Sequence, residues 1–253
     1  MNLKAIFFDQ DGVIIDTEKF GHRVAFNQAF REFDYGFEWD IKKYYNLLQI
    51  AGGKERIKRY FQDESLFPDL SDNELNNLIQ KLHNRKTEIF INLIESGKLP
   101  LRAGVKRLMK EARDRGLILG VCTTANERTA NTIVNNTLGD IVFEFVIAGD
   151  AVSKKKPDPE IYLLALDKCG LPPDKCIVIE DSRNGLLAAK SACLKVLITT
   201  NLYTEYEDFS EASIVVTSLG DPNGEKGVLK ASDKHFEFDG VLNVDNLLEY
   251  FES

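Results

Sequence analysis

A doubly wound α/β fold, a parallel sheet with helices on both faces interrupted once by an all-helical block, is what this sequence predicts. Three observations predict it. The run Ala5-Ile6-Phe7-Phe8 is short, apolar and partly β-branched or aromatic, so it reads as a strand buried on both faces, with Gly12 marking the turn after it. From Leu101 onward, stretches with helical spacing alternate with short apolar runs, the pattern of a parallel sheet covered by helices. Between these regions, nothing from Glu18 to Gly97 reads as a strand.

Taken in order, the first helical stretch runs from Glu18 to Phe33, with Phe26, Ala29, Phe30 and Phe33 at helical spacing. Helices are expected over Ile41 to Gln49 and Lys54 to Phe61. Ser71-Asp72-Asn73-Glu74 has the form of a capping box and should start a long helix through Leu93. A helix on Val105, Leu108, Met109 and Ala112 should end at Gly116, where glycine suits a left-handed cap. The strand Leu117 to Thr123, a helix from Glu127, the strand Phe145 to Ile147 and a helix from Pro159 to Cys169 follow. Then come the strand Cys176 to Ile179, a helix from Arg183, the strand Lys195 to Ile198 and the short run Ile214 to Val216. The segment Gly220 to Gly240, rich in Gly, Lys and Asp, is expected as loops or a surface hairpin before a last helix near Val244 to Phe251.

Composition narrows the function. With 253 residues, 43% of them hydrophobic, the chain can bury one large domain or one domain carrying an insertion. A net charge of −8 argues against nucleic-acid or membrane-surface partners, both of which need clustered positive charge, while a local basic pocket still admits a small anion. No apolar run approaches the roughly 20 residues of a membrane span, and Asp9 and Asp11 stand where a signal peptide needs apolar residues. The four cysteines, Cys122, Cys169, Cys176 and Cys193, form no Cys-x-x-Cys pair and read as reduced packing residues. A cytoplasmic protein, acting as a monomer on a small substrate, is expected.

Polar residues directly after buried strands should meet at one crevice, at the strands' carboxyl ends beside the switch in strand order. Asp9 and Asp11 follow the first strand. Their side chains, two residues apart in an extended segment, project to one side and Gln10 to the other. Paired carboxylates repel one another and cost desolvation energy, so a cation or a proton transfer must account for them. Thr123, with Thr124, Ala125 and Asn126, follows the second strand, Lys156 lies in the loop after Ala148, and Glu180 and Asp181 follow Ile179. Each has a plainer reading: a strand-ending turn, a helix cap, a solvated basic loop, or acids at the positive end of a helix. Their joint occurrence in this order favours a site.

This set, Asp9-Gln10-Asp11-Gly12, Thr123, Lys156-Pro157-Asp158-Pro159 and Glu180-Asp181, resembles the motifs of the haloacid dehalogenase superfamily, over essentially the whole chain. Gln10 stands where relatives usually carry an apolar residue. A helical insertion directly after the first motif resembles the β-phosphoglucomutase-like branch. The resemblance implies a Rossmann-like core domain over 1–16 and 100–253 and a helical cap domain over 17–99. It implies Mg2+, held by an Asp9 carboxylate oxygen, the Asp11 main-chain carbonyl and Asp181, with Glu180 a ligand or its neighbour. It implies Asp9 as the nucleophile that becomes an aspartyl-phosphate and Asp11 as the acid and base. Thr123 and the loop carrying Thr124 and Asn126 would hold the transferring oxygens, and Lys156 would offset charge.

For the substrate, Gly52-Gly53-Lys54 leaves main-chain N–H groups approachable at a helix start and adds a charge, which suits an anion. A plain inter-helix turn explains the same residues. Lys86 lies on the apolar stripe of its helix, four residues after Leu82 and three before Ile89, where it either reaches the edge or points at something anionic. The stretches His22 to Asn27, Trp39-Asp40, Ala51 to Arg56 and Lys86-Thr87 resemble CbbY-type xylulose-1,5-bisphosphate phosphatases. Carried over, Glu18, His22, Tyr44, Gly52, Gly53, Lys54 and Lys86 are candidates for contacting sugar and distal phosphate. The interval from Thr17 to His22 is one residue longer than in typical relatives, which puts the reach of His22 in question. A β-phosphoglucomutase, sharing the motifs but passing the phosphoryl group to a second sugar phosphate, is the alternative.

Overall fold

The structure, a computed structural model, describes residues 3–50 and 52–252. Ala51, the first residue of the expected anion-holding stretch, lies outside the described residues. The chain divides into two compact units, residues 1–16 with 100–253, and residues 17–99.

The first unit is built on a sheet with strand order β3-β2-β1-β4-β5-β6-β7. Its strands are β1 (Ala5–Phe8), β2 (Ile118–Cys122), β3 (Phe145–Ile147), β4 (Cys176–Glu180), β5 (Lys195–Thr199), β6 (Ile214–Val216) and β7 (Leu229–Ser232). β1 lies at the centre, and all four of its residues are buried, because Ala5 and Phe7 pack into one face and Ile6 and Phe8 into the other. Burial of Phe7 or Phe8 stabilises by about 1.5 to 3 kcal/mol each. The strand order switches between β1 and β4. Phe8 is level with Val121 of β2 and with Ile179 of β4, so the residues that follow these strands emerge side by side. Helices α5 (Val105–Asp114), α6 (Glu127–Leu138), α7 (Glu160–Cys169), α8 (Arg183–Ser191) and α9 (Val244–Glu252) complete this unit.

The second unit is helical among its described residues. A π-helical turn (Glu18–His22) leads into α1 (Arg23–Glu32), followed by α2 (Ile41–Leu48), α3 (Gly53–Asp63) and α4 (Asp72–Glu95). The turn is π-helical because the Arg23 N–H donates to the Glu18 carbonyl, five residues back, so it holds one residue more than an α turn. The capping box at Ser71 is present, with the Glu74 carboxylate accepting the Ser71 N–H at 2.9 Å. Phe26, Phe30, Trp39 and Tyr44 form a buried aromatic core, in which the Trp39 carbonyl and N–H are both bonded by the Asn27 side chain.

Two expectations need correction. The segment 220–240 is not only loops or a surface hairpin: Leu229–Ser232 joins the main sheet as an antiparallel edge strand beside β6. It reads Leu-Lys-Ala-Ser and is only half covered, so no apolar run marks it; a lysine on an edge strand also blocks further pairing. The cysteines are all free, and Cys122 and Cys176 are buried, but Cys193, just past α8, is exposed with φ 61° and is not a buried packing residue. Among the described residues, no helix is long and apolar enough to cross a membrane.

Candidate active site

The first unit gathers four charged side chains at the carboxyl ends of β1 and β4. The Lys156 ammonium donates to Asp9 Oδ1 at 2.6 Å, to Glu180 Oε1 at 2.6 Å and to the Cys122 carbonyl at 3.0 Å. Its side chain is only 6% exposed, so the reading of a solvated basic loop falls away. One carboxylate oxygen each from Asp9, Glu180 and Asp181 lies within 4.8 Å of the others. These contacts cross from β1 to the loop after β3 and to β4, which is why no local pattern in the sequence reports them.

Three negative groups and one positive group are thus buried together. Burial, with Glu180 and Asp11 adding repulsion, pushes the Asp9 carboxyl up to about 8 against the pull of Lys156. Burial, with Asp9 and Glu180 nearby, also raises Asp181 well above the usual carboxylate range. Burial alone would lower the Lys156 ammonium, but the Asp9 and Glu180 carboxylates outweigh it and raise it. Hard carboxylate oxygens grouped with surplus negative charge are the donor set that Mg2+ or another hard divalent cation prefers, so the residues fit such an ion.

The two acids of the Glu180-Asp181 pair differ. Glu180 is fully buried, with Oε1 accepting from Lys156 and from the Tyr162 hydroxyl at 2.6 Å, and Oε2 accepting the Asp181 N–H at 3.1 Å. Both its oxygens are therefore engaged, and a Cβ on Gly185 of α8 would come within 2.0 Å of it. Asp181 is held by Asn201, whose amide donates to Oδ2 at 2.7 Å. Glu180 is placed to hold Lys156, and Asp181 is one of the acids whose oxygens could hold an ion.

Around this group, Thr123 is wholly buried and its hydroxyl accepts the Ala125 N–H at 3.1 Å. The helix-cap alternative for Thr123 belongs instead to Asn126, whose Oδ1 accepts the Thr129 N–H at 2.9 Å at the start of α6. Thr124 offers its carbonyl to Lys155 at 3.3 Å, tying the loop after β2 to the Lys156 loop. Asp11 sits in the turn just past Asp9. Gln10 points the other way, as alternation requires, and its Nε2 donates to the Ala130 carbonyl of α6 at 3.1 Å.

The second unit brings together Glu18, His22, Tyr44 and Lys86. The Tyr44 hydroxyl donates to Glu18 Oε2 at 2.5 Å. Lys86 Nζ lies 2.9 Å from His22 Nδ1 and over the rings of Phe26 and Phe90, and His22 stacks on Phe90 with centroids 3.8 Å apart. Lys86 is 8% exposed and so does not reach an edge. Burial lowers its ammonium to about 8, with Glu18 opposing and Arg56 adding to the fall. Burial, then the Lys86 and Arg56 charges, hold His22 well below its usual value, so its imidazole is neutral. Gly53 opens α3, and a Cβ there would lie 2.7 Å from His83 Nε2. Lys54 is exposed. Beside Gly52, the Glu55 carboxylate occupies the place where a Cβ would project, so this turn carries an acid as well as the expected base.

Sequence reasoning missed Tyr162, Asn201, Arg102 and His83. Tyr162 is one more apolar-face residue of a helix, and Asn201 and Arg102 stand in short turns. Only their partners distinguish them.

A carboxylate cluster and a buried lysine at the switch point of a doubly wound sheet mark a hydrolase site. Residues 3–192 match the family model described as haloacid dehalogenase-like hydrolase, and the chain belongs to that family. Within it, relatives at 36–45% identity are CbbY-like. The chain is 45% identical over 227 residues to a CBBY-like protein of Arabidopsis thaliana, covering 88% of this chain and 71% of that one. It is 40% identical over 223 residues to Protein CbbY of Rhodobacter capsulatus, covering 87% and 95%. The crystal structure of CbbY from Rhodobacter sphaeroides in complex with phosphate aligns with TM-score 0.67 at 36% identity, covering 88% of this chain and 97% of that one. A mutant of the same CbbY in complex with xylulose-(1,5)bisphosphate aligns with TM-score 0.66 at 34% identity, over the same shares of the two chains. The chain is an enzyme, a hydrolase of the phosphatase class.

Proposed function

We propose that this hydrolase is a Mg2+-dependent phosphatase of small phosphorylated sugars, acting through an aspartyl-phosphate on Asp9, with a sugar bisphosphate such as xylulose 1,5-bisphosphate as substrate. The observation that carries the reading is the Lys156 ammonium bonded to both Asp9 and Glu180, with Asp181 beside them. When bound by Asp9 and Asp181, with the Asp11 carbonyl completing the protein ligands, the cation supplies positive charge that lets a carboxylate approach a phosphate dianion.

Asp9 attacks phosphorus in line, the ester P–O bond breaks, and the departing alkoxide takes the proton of Asp11. Asp11 then accepts a proton from water as that water attacks the phosphoryl group, releasing phosphate and restoring Asp9. Lys156 keeps Asp9 aimed and offsets charge on the transferring oxygens, while Thr123 and the amides of the loop through Thr124 and Asn126 hold them. The CbbY complex with xylulose-(1,5)bisphosphate supports the choice of substrate.

In the helical unit, Lys86, with Glu18, Tyr44, His22, Gly52, Gly53 and Lys54, provides recognition of the sugar and the second phosphate. Because burial lowers Lys86 to about 8, its charge is present below that pH and lost above it. KM for an anionic substrate should therefore rise as the pH passes through about 8, and Lys86→Met should remove that dependence and raise KM at pH 7 by at least about tenfold. The same variant should be more heat-stable than wild type at pH 7, since it no longer buries an ammonium. An unchanged KM in Lys86→Met would remove Lys86 from recognition.

The function itself is tested by incubating the protein and Mg2+ with a panel of phosphorylated metabolites that includes xylulose and ribulose 1,5-bisphosphates, and measuring inorganic phosphate. We expect the highest kcat/KM on xylulose 1,5-bisphosphate and no release in a chelator. Failure to release phosphate from any monoester would overturn the reading. Conversion of β-glucose 1-phosphate, primed with the 1,6-bisphosphate, to glucose 6-phosphate without free phosphate would replace it with the mutase.

A further inference from the structure

Arg102, in the turn before α5, has no part in the chemistry above, yet its guanidinium reaches the carboxyl ends of three strands. It donates to the Gly12 carbonyl after β1, to the Thr199 carbonyl at 3.0 Å and hydroxyl at 2.8 Å at the end of β5, to the Thr200 carbonyl at 2.6 Å, and to the Thr217 carbonyl after β6 at 3.1 Å. Its own N–H donates to the Ile14 carbonyl at 2.9 Å, which fixes the backbone from which the side chain extends.

The two segments it joins are the two that seat Asp181. Asp181 Oδ2 fills the space where Gly12 would carry a side chain: a Cβ built there would lie 2.0 Å from that oxygen and 3.0 Å from Asn201 Nδ2. Gly12 also has φ 88°, a left-handed conformation that glycine adopts without strain. Asn201, directly after Thr200, donates to the same oxygen at 2.7 Å. The carboxylate is therefore gripped between the Gly12 turn and the Asn201 amide, and one guanidinium ties the carbonyls behind both.

We propose that Arg102 is a positioning residue for the cation site, acting through the Gly12 turn and Asn201 to hold the Asp181 carboxylate in its ligating orientation. Arginine suits this task because its planar fork offers five donors in fixed directions, whereas a lysine has one point of attachment. A partner of a metal ligand that orients it typically contributes about 10- to 100-fold to metal affinity. This inference rests on the reading of Asp181 as a metal ligand, and the experiment separates the two.

Wild type, Arg102→Lys, Arg102→Met and Asn201→Ala are freed of metal with a chelator, and Mg2+ is titrated in by calorimetry. We expect Arg102→Met and Asn201→Ala each to weaken Mg2+ binding by about tenfold or more, with Arg102→Lys between Arg102→Met and wild type. At saturating Mg2+, the loss in turnover should fall on kcat, with KM within about twofold of wild type, since neither side chain touches substrate. A merely structural role would lower the unfolding midpoint and leave the Mg2+ affinity of the folded fraction unchanged. Wild-type affinity in Arg102→Met, or in Asn201→Ala should Arg102→Met not fold, overturns the proposal while leaving the phosphatase intact. No Mg2+ binding by wild type, together with no phosphate release, overturns the functional reading itself.

Discussion

Asp9→Asn is expected to lower phosphate release by at least about 10^4-fold at saturating Mg2+, because the amide has the shape of the carboxylate but no nucleophilic oxygen. The variant should still fold. Asp9 is buried with its carboxyl raised to about 8, so its ionised form is costly in the metal-free protein, and the neutral amide removes that cost. Lys156 keeps Glu180 as a partner at 2.6 Å and is not stranded. Two measurements decide the matter. Steady-state release of phosphate from the best substrate should vanish, and protein quenched in acid during turnover should carry a phosphoryl group in wild type but not in Asp9→Asn when its mass is measured. Undiminished activity in the variant would end the covalent mechanism on Asp9.

Lys156→Met should damage both stability and activity. The ammonium is 6% exposed and is shared by Asp9 and Glu180, so its removal leaves buried carboxylates without their cation. Breaking a buried pair in this way costs about 3 to 5 kcal/mol. The sign of the pH dependence follows from the direction of the shift. Lys156 is held above its ordinary value, so at pH 7 its contribution is fully present, and it would be lost only at strongly alkaline pH. In the variant Asp9 loses the charge that opposes its rise, so its carboxyl is pushed further up and acid relieves its burial. Urea unfolding of metal-free protein should therefore show a large deficit at pH 7.5 that shrinks at pH 5.5. Turnover should fall by about 10^2-fold or more with Mg2+ present, because charge on the transferring oxygens is no longer offset. An unfolding midpoint equal to that of wild type at pH 7.5 would mean that Lys156 is not a partner of these acids.

The helical unit shows a different balance. Burying Lys86 against Phe26, Phe90 and His22 lowers its ammonium to about 8, a cost the fold bears for a charge inside an apolar helix face. On the proposed role in substrate recognition, function and stability pull in opposite directions at this residue.

Much of the molecule was legible because its signals are local. Ala5-Ile6-Phe7-Phe8 reads as a buried strand from its side chains alone, and Ser71 to Glu74 reads as a helix start because the cap and its partner are three residues apart. Asp9, Thr123, Lys156 and Glu180 were legible for a related reason: each follows an apolar run, or its loop, and a parallel sheet sends all such ends to one edge. The edge strand Leu229–Ser232 was not legible, because its half-covered, lysine-bearing sequence lacks a period. Gln10 was read correctly as facing away from Asp9, but its bond to Ala130, 120 residues distant, could not be seen.

The sequence by itself determined the order of strands and helices apart from the edge strand Leu229–Ser232, the identity of the acids, alcohol and lysine at the site, and the family, since these depend on side-chain type and short spacing. Only the tertiary structure decided that both Glu180 oxygens are engaged and that Asn201 holds Asp181. It alone also decided that Asn126 and not Thr123 caps α6, that the chain before Arg23 forms a π turn, and that Arg102 ties Gly12 to Thr199 and Thr200. The reason is that hydrogen-bond partners and burial are set by which distant segments pack together, and a residue's own neighbours in the chain carry no record of that packing.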